Sequence, residues 1–369
     1  MPFKLDILKR SEAEPYDIFF KSCPHGFIQQ SVQWSDVIAP LSPDTPYFAV
    51  VSNEERAIIG GLPLYHFSTP YGGILTSVPH AGPLGGVLYR ENEDSHTKQR
   101  IYATLMDGAI SLAKELRCIS LTVITNPFLQ NTNYYMNTAP PDYVFNNFCQ
   151  VIDLPHLFSS SKTYFSDKSG HTVDRNVRRN LKKAAENNVI VEWGIEDDFE
   201  VWYQIHAKRH TELGAAPLPK PLLKNILNIL SSLNMSGLVI AKMANKIIGG
   251  CIFIWNKEVA DAFILSSDSQ YMDYGINHAI TDFAVRYFHD RGMRWFNWQG
   301  CKRDSGVYRF KQSWGSEERS YEFLTWTFDG FKKIFSYSFE DITRAYQWHY
   351  LAPFEALRLK HTEGIFNKE

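Results

Sequence analysis

The clearest hydrophobic pattern along the chain lies between residues 237 and 299. Two apolar runs rich in β-branched residues flank the polar pair Asn245-Lys246, which predicts a tight hairpin over 237–255. A third apolar run follows at 260–265. Apolar residues spaced by three and four then predict a helix over 276–291, and a last apolar run predicts a strand over 293–299.

The same order of elements occurs earlier in the chain. An apolar run, a polar turn and a second apolar run over 48–65 repeat the hairpin pattern, and Ile58-Ile-Gly-Gly61 matches Ile247-Ile-Gly-Gly250. A helical pattern over 97–116 and a strand over 119–124 follow. A matched order of four elements indicates a duplicated α/β domain. The alternative is two unrelated α/β segments with similar hairpins.

A predicted helix over 172–187 has one strongly basic face. Its cations recur at helical spacing: Arg175, Arg178, Arg179, Lys182 and Lys183. Such a face can bind the phosphates of a nucleotide, a tRNA or a lipid-linked substrate. The alternative is a solvated face beside acidic neighbours.

A stretch rich in glycine and proline, 69–86, admits close approach of backbone to a ligand. A surface loop with tight turns is the alternative. The sequence Ala216-Pro-Leu-Pro-Lys-Pro221 predicts a stiff connector, and the aromatic residues after Trp326 predict a helical tail.

Composition narrows the classes of function. The 369 residues carry 38 Lys+Arg and 40 Asp+Glu, a formal net charge of −2, so the chain as a whole is not predicted to bind polyanions such as DNA. Five scattered cysteines without a C-x-x-C pair indicate a reducing compartment and no structural metal. No secretory leader and no run of about 18 apolar residues occur, which predicts a cytoplasmic chain without a transmembrane segment.

Several motifs that carry chemistry are absent. The chain has no G-x-S-x-G elbow, no P-loop and no G-x-G-x-x-G. His206 and His210 are four residues apart but lack the glutamate of a zinc protease, so a surface helix pair is the better interpretation. A reaction without an obvious nucleophile is one that depends on positioning and electrostatics.

Six short stretches, in this order, resemble the FemA/FemB/FemX-type aminoacyl transferases of the GNAT superfamily. They are Ser31-Val-Gln-Trp34, Tyr71-Gly-Gly73, Asn176-Val-Arg-Arg-Asn-Leu-Lys-Lys-Ala184, Leu213-Gly214 with Pro217-Leu-Pro-Lys220, Tyr274-Gly-Ile-Asn277 and Tyr308-Arg-Phe-Lys-Gln-Ser-Trp-Gly315. The resemblance covers roughly residues 31–328 and is to the shorter members, because no long charged segment for a helical arm is present.

The resemblance implies an α/β fold with two tandem GNAT-like (acyl-CoA N-acyltransferase) domains, whose mixed sheets are flanked by helices. The expected division is an N-terminal domain over 1–155, a C-terminal domain over 156–330, and an aromatic helical tail over 331–369 packed on the body.

The implied activity is transfer of an acyl or aminoacyl group to an amino group of a cell-envelope precursor, either peptidoglycan or polysaccharide. The donor is acyl-CoA or aminoacyl-tRNA, with no tightly bound cofactor and no metal. Only Gly275 remains of the usual GNAT pyrophosphate loop, which counts against acetyl-CoA. The partners would be a small-molecule or lipid-linked precursor and a charged tRNA, and the location the cytoplasm or the inner face of the membrane.

The resemblance also implies the site residues. Lys311 would stabilise the oxyanion near the transferred carbonyl, with Tyr308 as the second catalytic residue. The alternative for Lys311 is a surface salt bridge to Glu317 or Glu318. Phe310 and Trp314, four residues apart, are expected to pack inward on one face of a short helix, with Lys311 at the edge of this buried stripe. The implied substrate-binding residues are Arg178, Arg179, Lys182, Tyr71, Gly72, Gly73, Gly275, Asn277, Trp298, Gln299 and Arg309.

A non-enzymatic function is the competing interpretation. A degenerate transferase could bind an envelope glycan or a nucleotide sugar as an assembly factor. An accessible tunnel beside Lys311 would favour the enzyme, and a filled one would favour the binding protein.

Overall fold

The computed structural model describes residues 3–77, 85–159, 174–352 and 357–358. Its chain divides into two compact units: unit 1 comprises Met1–Asn147 and Ser320–Glu369, and unit 2 comprises Phe148–Arg319. No helix among the described residues is both long and apolar enough to cross a bilayer. The predicted domain limits at 155 and 330 stay a prediction; residues 320–330 group with unit 1 because their strand pairs there.

The first part of the chain alternates short helices with strands. In chain order its elements are β1 (Lys4–Lys9), α1 (Glu14–Ser22), α2 (Val32–Ile38), β2 (Thr45–Ser52), β3 (Ile58–Thr69), β4 (Gly72–Thr76), β5 (Leu88–Tyr89), α3 (Ser95–Glu115), β6 (Cys118–Ile124) and α4 (Thr132–Thr138).

The remaining elements repeat this α/β alternation. They are β7 (Tyr143–Asp153), α5 (Leu154–Ser159), α6 (Arg175–Glu186), β8 (Ile190–Trp193), α7 (Glu196–Glu212), α8 (Lys220–Asn225), a π-helical turn (Ile226–Leu230), β9 (Ser236–Met243), β10 (Lys246–Asn256), β11 (Val259–Ser267), α9 (Ile276–Asp290), β12 (Trp295–Asn297), α10 (Gly306–Gln312), β13 (Glu317–Thr327) and α11 (Phe339–Ala345).

Unit 1 is a mixed sheet with a long helix on one face. Its strands lie in the order β1-β2-β3-β4-β6-β13, with β5 beside β3. All recorded pairs are antiparallel except β4 with β6, which α3 joins as a parallel crossover. The apolar face of α3, including Ile101, Leu105 and Ala109, packs on Leu62 and Leu121 of the sheet.

Described residues of the segment after Trp326 pack on the other face of unit 1. Phe331, Ile342 and Tyr346 form one buried cluster with Ile74 and Ile119 of the sheet. Apolar side chains at these positions cover a sheet face that would otherwise be exposed to water.

Unit 2 has the same construction around its own core. Its strands lie in the order β7-β12-β11-β10-β9-β8, and only β11 with β12 is a parallel pair. The apolar face of α9, including Ile280, Ala284 and Phe288, packs on Phe253 and Phe296. The predicted repeat of hairpin, helix and strand is therefore confirmed: β2-β3, α3 and β6 correspond to β9-β10, α9 and β12. Each copy also contains a third strand, β4 in unit 1 and β11 in unit 2, which pairs in parallel with the strand after the helix.

Candidate functional site

The parallel pair of unit 2 separates after three residues. The pairing of β11 with β12 runs from Val259–Trp295 to Asp261–Asn297, whereas β11 itself continues to Ser267. Beyond this point the chain after β12 stays beside β7, with which β12 already pairs, since Trp298 N donates to Gln150 O at 2.8 Å. The two parallel strands of unit 2 therefore diverge at their carboxyl ends, which is where open α/β sheets present their ligand sites.

A buried polar cluster lies where the two strands separate. Asp261 of β11 is 2% exposed, and its carboxylate accepts a hydrogen bond from the Asn297 side chain of β12, which is fully buried. The side-chain oxygen of Asn297 in turn accepts from Gln299 N at 3.1 Å. Because a buried carboxylate needs such partners, this chain of hydrogen bonds fixes the backbone at the end of β12.

Lys311 of α10 is enclosed by that same backbone. The side chain is 5% exposed, and its Nζ donates to Trp298 O at 2.8 Å, to Gln299 O at 3.0 Å and to Gly300 O at 3.4 Å. Burial lowers the pKa of Lys311 from its usual value. The expectation that Lys311 lies at the edge of the buried stripe is therefore wrong. Neither does it form a surface salt bridge, because its three N–H groups all bond to backbone carbonyls.

Tyr308 and Arg309 lie on the exposed side of α10. The Tyr308 hydroxyl donates to Glu318 Oε1 at 2.7 Å, and Glu318 also accepts from Arg303 at 2.8 Å. The hydrogen bond to Glu318 raises the pKa of Tyr308. Arg309 is exposed and donates to the backbone oxygen of Asp304 at 2.8 Å. These contacts are local, so they leave the catalytic role predicted for Tyr308 and the binding role predicted for Arg309 without geometric support.

Aromatic rings surround the point of divergence. Phe310 of α10 lies edge-on to Trp298 at 5.6 Å and edge-on to His278 of α9 at 4.9 Å, while Trp314 is fully buried beside them. The inward packing predicted for Phe310 and Trp314 is confirmed by their place in and against the core of unit 2.

Three buried side-chain nitrogens in this region have no hydrogen-bond partner among the described residues: Trp298 Nε1, Gln299 Nε2 and His278 Nε2. Buried polar groups are nearly always paired in folded proteins, and each exception calls for a water, an ion or a ligand. Gln299 also has φ +61°, which an L-residue seldom adopts outside strained or functional positions.

His278 is a site residue that the sequence pattern did not reveal. Burial, together with the nearby charge of Arg179, lowers the pKa of His278 to about 4. The imidazole is therefore neutral at physiological pH and can either donate or accept one hydrogen bond at Nε2. A lone histidine in the first turn of an apolar helix carries no sequence signal, because only tertiary packing brings Phe310 and Trp314 against it.

The amino end of α9 does not have the open geometry expected for a donor site. Gly275 caps this helix with φ +73°, and a Cβ on it would overlap the backbone oxygen of Asn180 on α6. The Asn277 side chain accepts from Ser267 Oγ at 2.6 Å. A glycine is required at this position because α6 packs directly against the end of α9. The ligand contact expected at Gly275 stays a prediction.

Tyr71, Gly72 and Gly73 form the turn and first residues of a hairpin rather than a ligand loop. Tyr71 lies edge-on to Tyr337 at 4.7 Å, and Gly72 O accepts from the Tyr346 hydroxyl at 2.9 Å. These contacts hold the segment after β13 on unit 1, and the binding role expected of the three residues stays a prediction. The rest of the glycine-rich stretch, 78–84, lies outside the described residues.

The basic face of α6 borders a groove along α9. The groove has a volume of about 840 Å³; Arg178 and Lys182 of α6 and Arg286 of α9 stand at its rim. Its floor is apolar and includes Leu181, Val191, Phe283 and Tyr287. Arg286 is paired with Asp282 at 3.0 Å, and Lys182 lies 3.6 Å from Glu186.

Arg179 is on the outer side of α6 and donates to the Asn176 side chain at 2.7 Å. The groove therefore unites Arg178 and Lys182 with a third cation from α9 and leaves Arg179 outside its lining.

No cluster of three or more His, Cys, Asp or Glu side chains in the described part of the chain could hold a metal ion. His206, paired with His210 in the sequence, is instead buried: its Nδ1 lies 3.0 Å from Ser266 Oγ, and its Nε2 accepts from Leu218 N at 3.1 Å. The surface helix pair expected there is thus wrong for His206. All five cysteines are free thiols.

Residues 172–312 match the family model of the Acetyltransferase (GNAT) domain. This range contains β11, β12, α9 and α10, and therefore both the divergence of the strands and Lys311. The chain has a tandem GNAT-like fold. No curated protein sequence matches it.

The fold is similar to that of FemX, with a TM-score of 0.70 at 11% identity over 90% of this chain and 99% of FemX. A tandem GNAT protein from the clavulanic acid biosynthesis pathway matches with a TM-score of 0.50 at 10% identity, over 89% of this chain and 99% of that one. The C-terminal domain of a candidate lysylphosphatidylglycerol synthetase from Agrobacterium fabrum matches with a TM-score of 0.54 at 11% identity, over 88% of this chain and 95% of that domain. The fold expected from the FemX-type resemblance is thereby confirmed.

Proposed function

We propose that this protein transfers an acyl or aminoacyl group to an amino group of a cell-envelope precursor, and that unit 2 carries out the reaction. The observation that supports this most strongly is the divergence of β11 and β12 beside three unpartnered buried nitrogens, within the residues that match the GNAT domain. The neighbours named FemX and lysylphosphatidylglycerol synthetase support the aminoacyl form of the reaction and an envelope acceptor.

The chemistry requires a neutral amine to attack the carbonyl carbon of an acyl-CoA thioester or an aminoacyl-tRNA ester. The new C–N bond turns the carbonyl oxygen into an oxyanion, which collapses as the C–S or C–O bond to the donor breaks. The proton that the amine loses passes through a nearby base or solvent to the departing sulfur or ribose oxygen, which leaves as a thiol or a hydroxyl. Donors positioned at the developing oxyanion lower the barrier most, because they act in a site that excludes water.

Trp298 Nε1 is the best-placed donor for the oxyanion. Its N–H is buried without a partner at the end of β12, and its indole is held edge-on by Phe296 at 4.8 Å and by Phe310 at 5.6 Å. A rigid ring fixes the direction of the N–H before the substrate arrives. The His278 imidazole is neutral at neutral pH, and in the tautomer protonated at Nδ1 its Nε2 accepts a hydrogen bond from the attacking amine.

Lys311 acts as a positioning residue in this proposal. Its ammonium holds the carbonyls of residues 298–300, and so sets the direction in which Trp298 and Gln299 point. A direct contact of Lys311 with the oxyanion would require release of the longest of these bonds, the 3.4 Å contact with Gly300.

The groove between α6 and α9 supplies the phosphate contacts. Arg178, Lys182 and Arg286 border an apolar floor, which suits a substrate that carries both phosphate and apolar groups. Acyl-CoA, aminoacyl-tRNA and lipid-linked or nucleotide-linked precursors all carry phosphate, so this groove serves either the donor or the acceptor.

The test compares Trp298→Phe with Trp202→Phe. Both indoles are buried in unit 2 with an unpartnered Nε1, but Trp202 packs against α7 neighbours such as Phe199. Turnover is measured with acetyl-CoA and with an alanyl minihelix RNA as donors and a UDP-muropeptide as acceptor. Trp298→Phe should lower kcat by about 10²–10³ without a change in melting temperature, the usual loss for one oxyanion donor. Equal effects of the two substitutions would remove Trp298 from the mechanism.

A non-catalytic binding protein is the second candidate, and the enclosure of Lys311 favours it. The ammonium is engaged by the backbone carbonyls of Trp298, Gln299 and Gly300, so it is already occupied in the protein without a substrate. Absence of turnover with both donor classes, combined with saturable binding of a UDP-sugar, would select this candidate.

A further inference from the structure

A second groove in unit 2 has the composition of a carbohydrate site. We propose that it binds a glycan, meaning a short chain of pyranose sugars. The groove has a volume of about 620 Å³ and lies between the start of α7, the π-helical turn and the ends of β9 and β10. That volume falls within the range of roughly 300–1,000 Å³ typical of small-molecule sites. The proposal concerns binding alone and stands apart from the transferase reaction.

Aromatic rings form one wall of this groove. Trp193 is half-buried and lies 4.8 Å from Tyr287 and 6.0 Å from Trp255, both of which also line the groove. A Cβ at Gly237 would lie 2.6 Å from Trp193 Cζ3, so the glycine makes the room in which the indole lies. A rigid indole offers a flat apolar surface against which the C–H face of a sugar ring can stack.

Polar side chains of mixed character line the rest of the groove. Glu196, Asp197 and Glu200 contribute carboxylates, Lys224 an ammonium, and Asn228 and Asn234 amides. Each sugar hydroxyl both donates and accepts, so a ligand rich in hydroxyls matches acceptors, donors and amides together. A phosphate would be repelled by the three carboxylates, and a purely apolar ligand would form no hydrogen bonds with any of these six groups.

The π-helical turn adds an independent observation. Residues Ile226–Leu230 form one turn of π-helix, and Leu227 and Asn228 from this turn line the groove. Ser236 Oγ donates to Ile226 O at 2.9 Å and so helps to hold the turn. Single π-turns are rare and are found mostly at functional sites, where they redirect side chains.

Binding of chitotriose, maltotriose and trilysine by isothermal titration calorimetry tests the proposal. Saturable binding of at least one trisaccharide is expected, with quenching or enhancement of tryptophan fluorescence. Trp193→Ala should weaken it by about tenfold or more, as for a central aromatic contact. Asn228→Ala and Glu196→Gln change exposed groups, so they should preserve folding and weaken binding by about threefold to tenfold.

Glu54→Gln, an exposed glutamate of unit 1, is the matched control and should leave binding unchanged. Failure of both trisaccharides to bind would overturn the assignment. So would Asn228→Ala and Glu196→Gln variants that both bind the trisaccharide as tightly as the wild type. Tighter binding of trilysine than of either sugar would also overturn it, since the carboxylates would then select a cation. These results do not depend on turnover, so they leave the transferase proposal to its own test.

Discussion

The two units share one order of elements but differ at their single parallel strand pair. In unit 1 the pairing of β4 with β6 extends through Thr76–Thr122, and Ser77 N donates onward to Thr122 O at 2.9 Å. In unit 2 the pairing of β11 with β12 stops at Asp261–Asn297. The parallel pairing therefore continues to the end of β4 in unit 1, whereas in unit 2 it stops before the end of β11.

The side chains near the two pairs do not separate the units by themselves. In unit 1 the hydroxyls of Thr122 and Thr325 bond to each other across β6 and β13 at 2.9 Å, but Thr76 Oγ1 of β4 and Ser120 Oγ of β6 are buried without partners among the described residues. In unit 2 Trp298 Nε1 and Gln299 Nε2 are buried without partners in the same way. The early end of the β11–β12 pairing, within the residues that match the GNAT domain, is the difference on which we base the proposal that unit 2 carries the chemistry.

Removal of the Lys311 charge should have the largest effect on stability. Lys311→Met keeps the aliphatic stem but leaves the carbonyls of residues 298–300 without their donor, at a cost of about 2–4 kcal/mol in the free energy of unfolding. Lys302→Met, an exposed lysine of the same segment, should change it by less than about 0.5 kcal/mol. Urea titration measures both. A Lys311→Met protein as stable as the wild type would show that the ammonium is not needed to hold the end of β12.

Two glycines that flank α9 test whether α6 covers the amino end of that helix. Gly275 and Gly292 have φ of +73° and +75°, but only at Gly275 would a Cβ meet neighbouring atoms, those of Asn180. Gly292→Ala should cost about 1 kcal/mol for its left-handed backbone alone. Gly275→Ala should cost about 2 kcal/mol more, because α6 must also move. If thermal unfolding shows that both substitutions reduce the free energy of unfolding equally, α6 moves away from Gly275 at no cost. The space next to Gly275 would then be accessible to a donor.

Acid should destabilise unit 2 through its buried imidazoles. Burial, and secondarily His210, lowers the pKa of His206 to about 4, against about 6.5 in an unfolded chain. As the pH falls from about 6.5 towards 4, the unfolded state binds a proton that the folded state does not, so stability is lost in this window. The loss from His206 should reach about 1–2 kcal/mol between pH 7 and pH 5. His206→Asn should flatten this part of the stability profile; an unchanged slope would contradict the assigned pKa.

Removal of cations from the groove between α6 and α9 should have the smallest effect, a loss of about tenfold in the affinity for a phosphorylated ligand. Arg178→Gln with Lys182→Gln removes two cations from its rim and should weaken binding of a UDP-sugar by about tenfold at low salt. The salt dependence of binding should also become flatter. Lys183→Gln is the control, since Lys183 lies on the same helix but outside the groove lining. If Lys183→Gln weakens binding as much as the double variant, the groove is not the phosphate site.

The order of elements could be predicted because it depends on local patterns. The repeated Ile-Ile-Gly-Gly hairpins and the spacing of apolar residues in α3 and α9 are present in the sequence itself. The same holds for Phe310 and Trp314, whose spacing of four residues predicted a common buried face.

The geometry of the site could not be predicted in the same way, because it depends on long-range packing. Burial of Lys311 follows from the carbonyls at 298–300, which turn towards it where Gln299 takes a positive φ. The family resemblance implied a ligand contact at Gly275, but no sequence pattern shows that Asn180 of α6 packs against this glycine. No sequence pattern singles out His278, because only tertiary packing brings Phe310 of α10 against it.

Hydrogen–deuterium exchange in the presence of a donor tests the assignment of chemistry to unit 2 most directly. Acetyl-CoA and an alanyl minihelix RNA serve as probes, each compared with the free protein. With a donor bound, we predict slower exchange in unit 2 at 262–267 and 298–312, where its strands diverge. We predict no change in unit 1 at 72–77 and 118–124. Slower exchange at the unit 1 segments with none at 262–267 would contradict it.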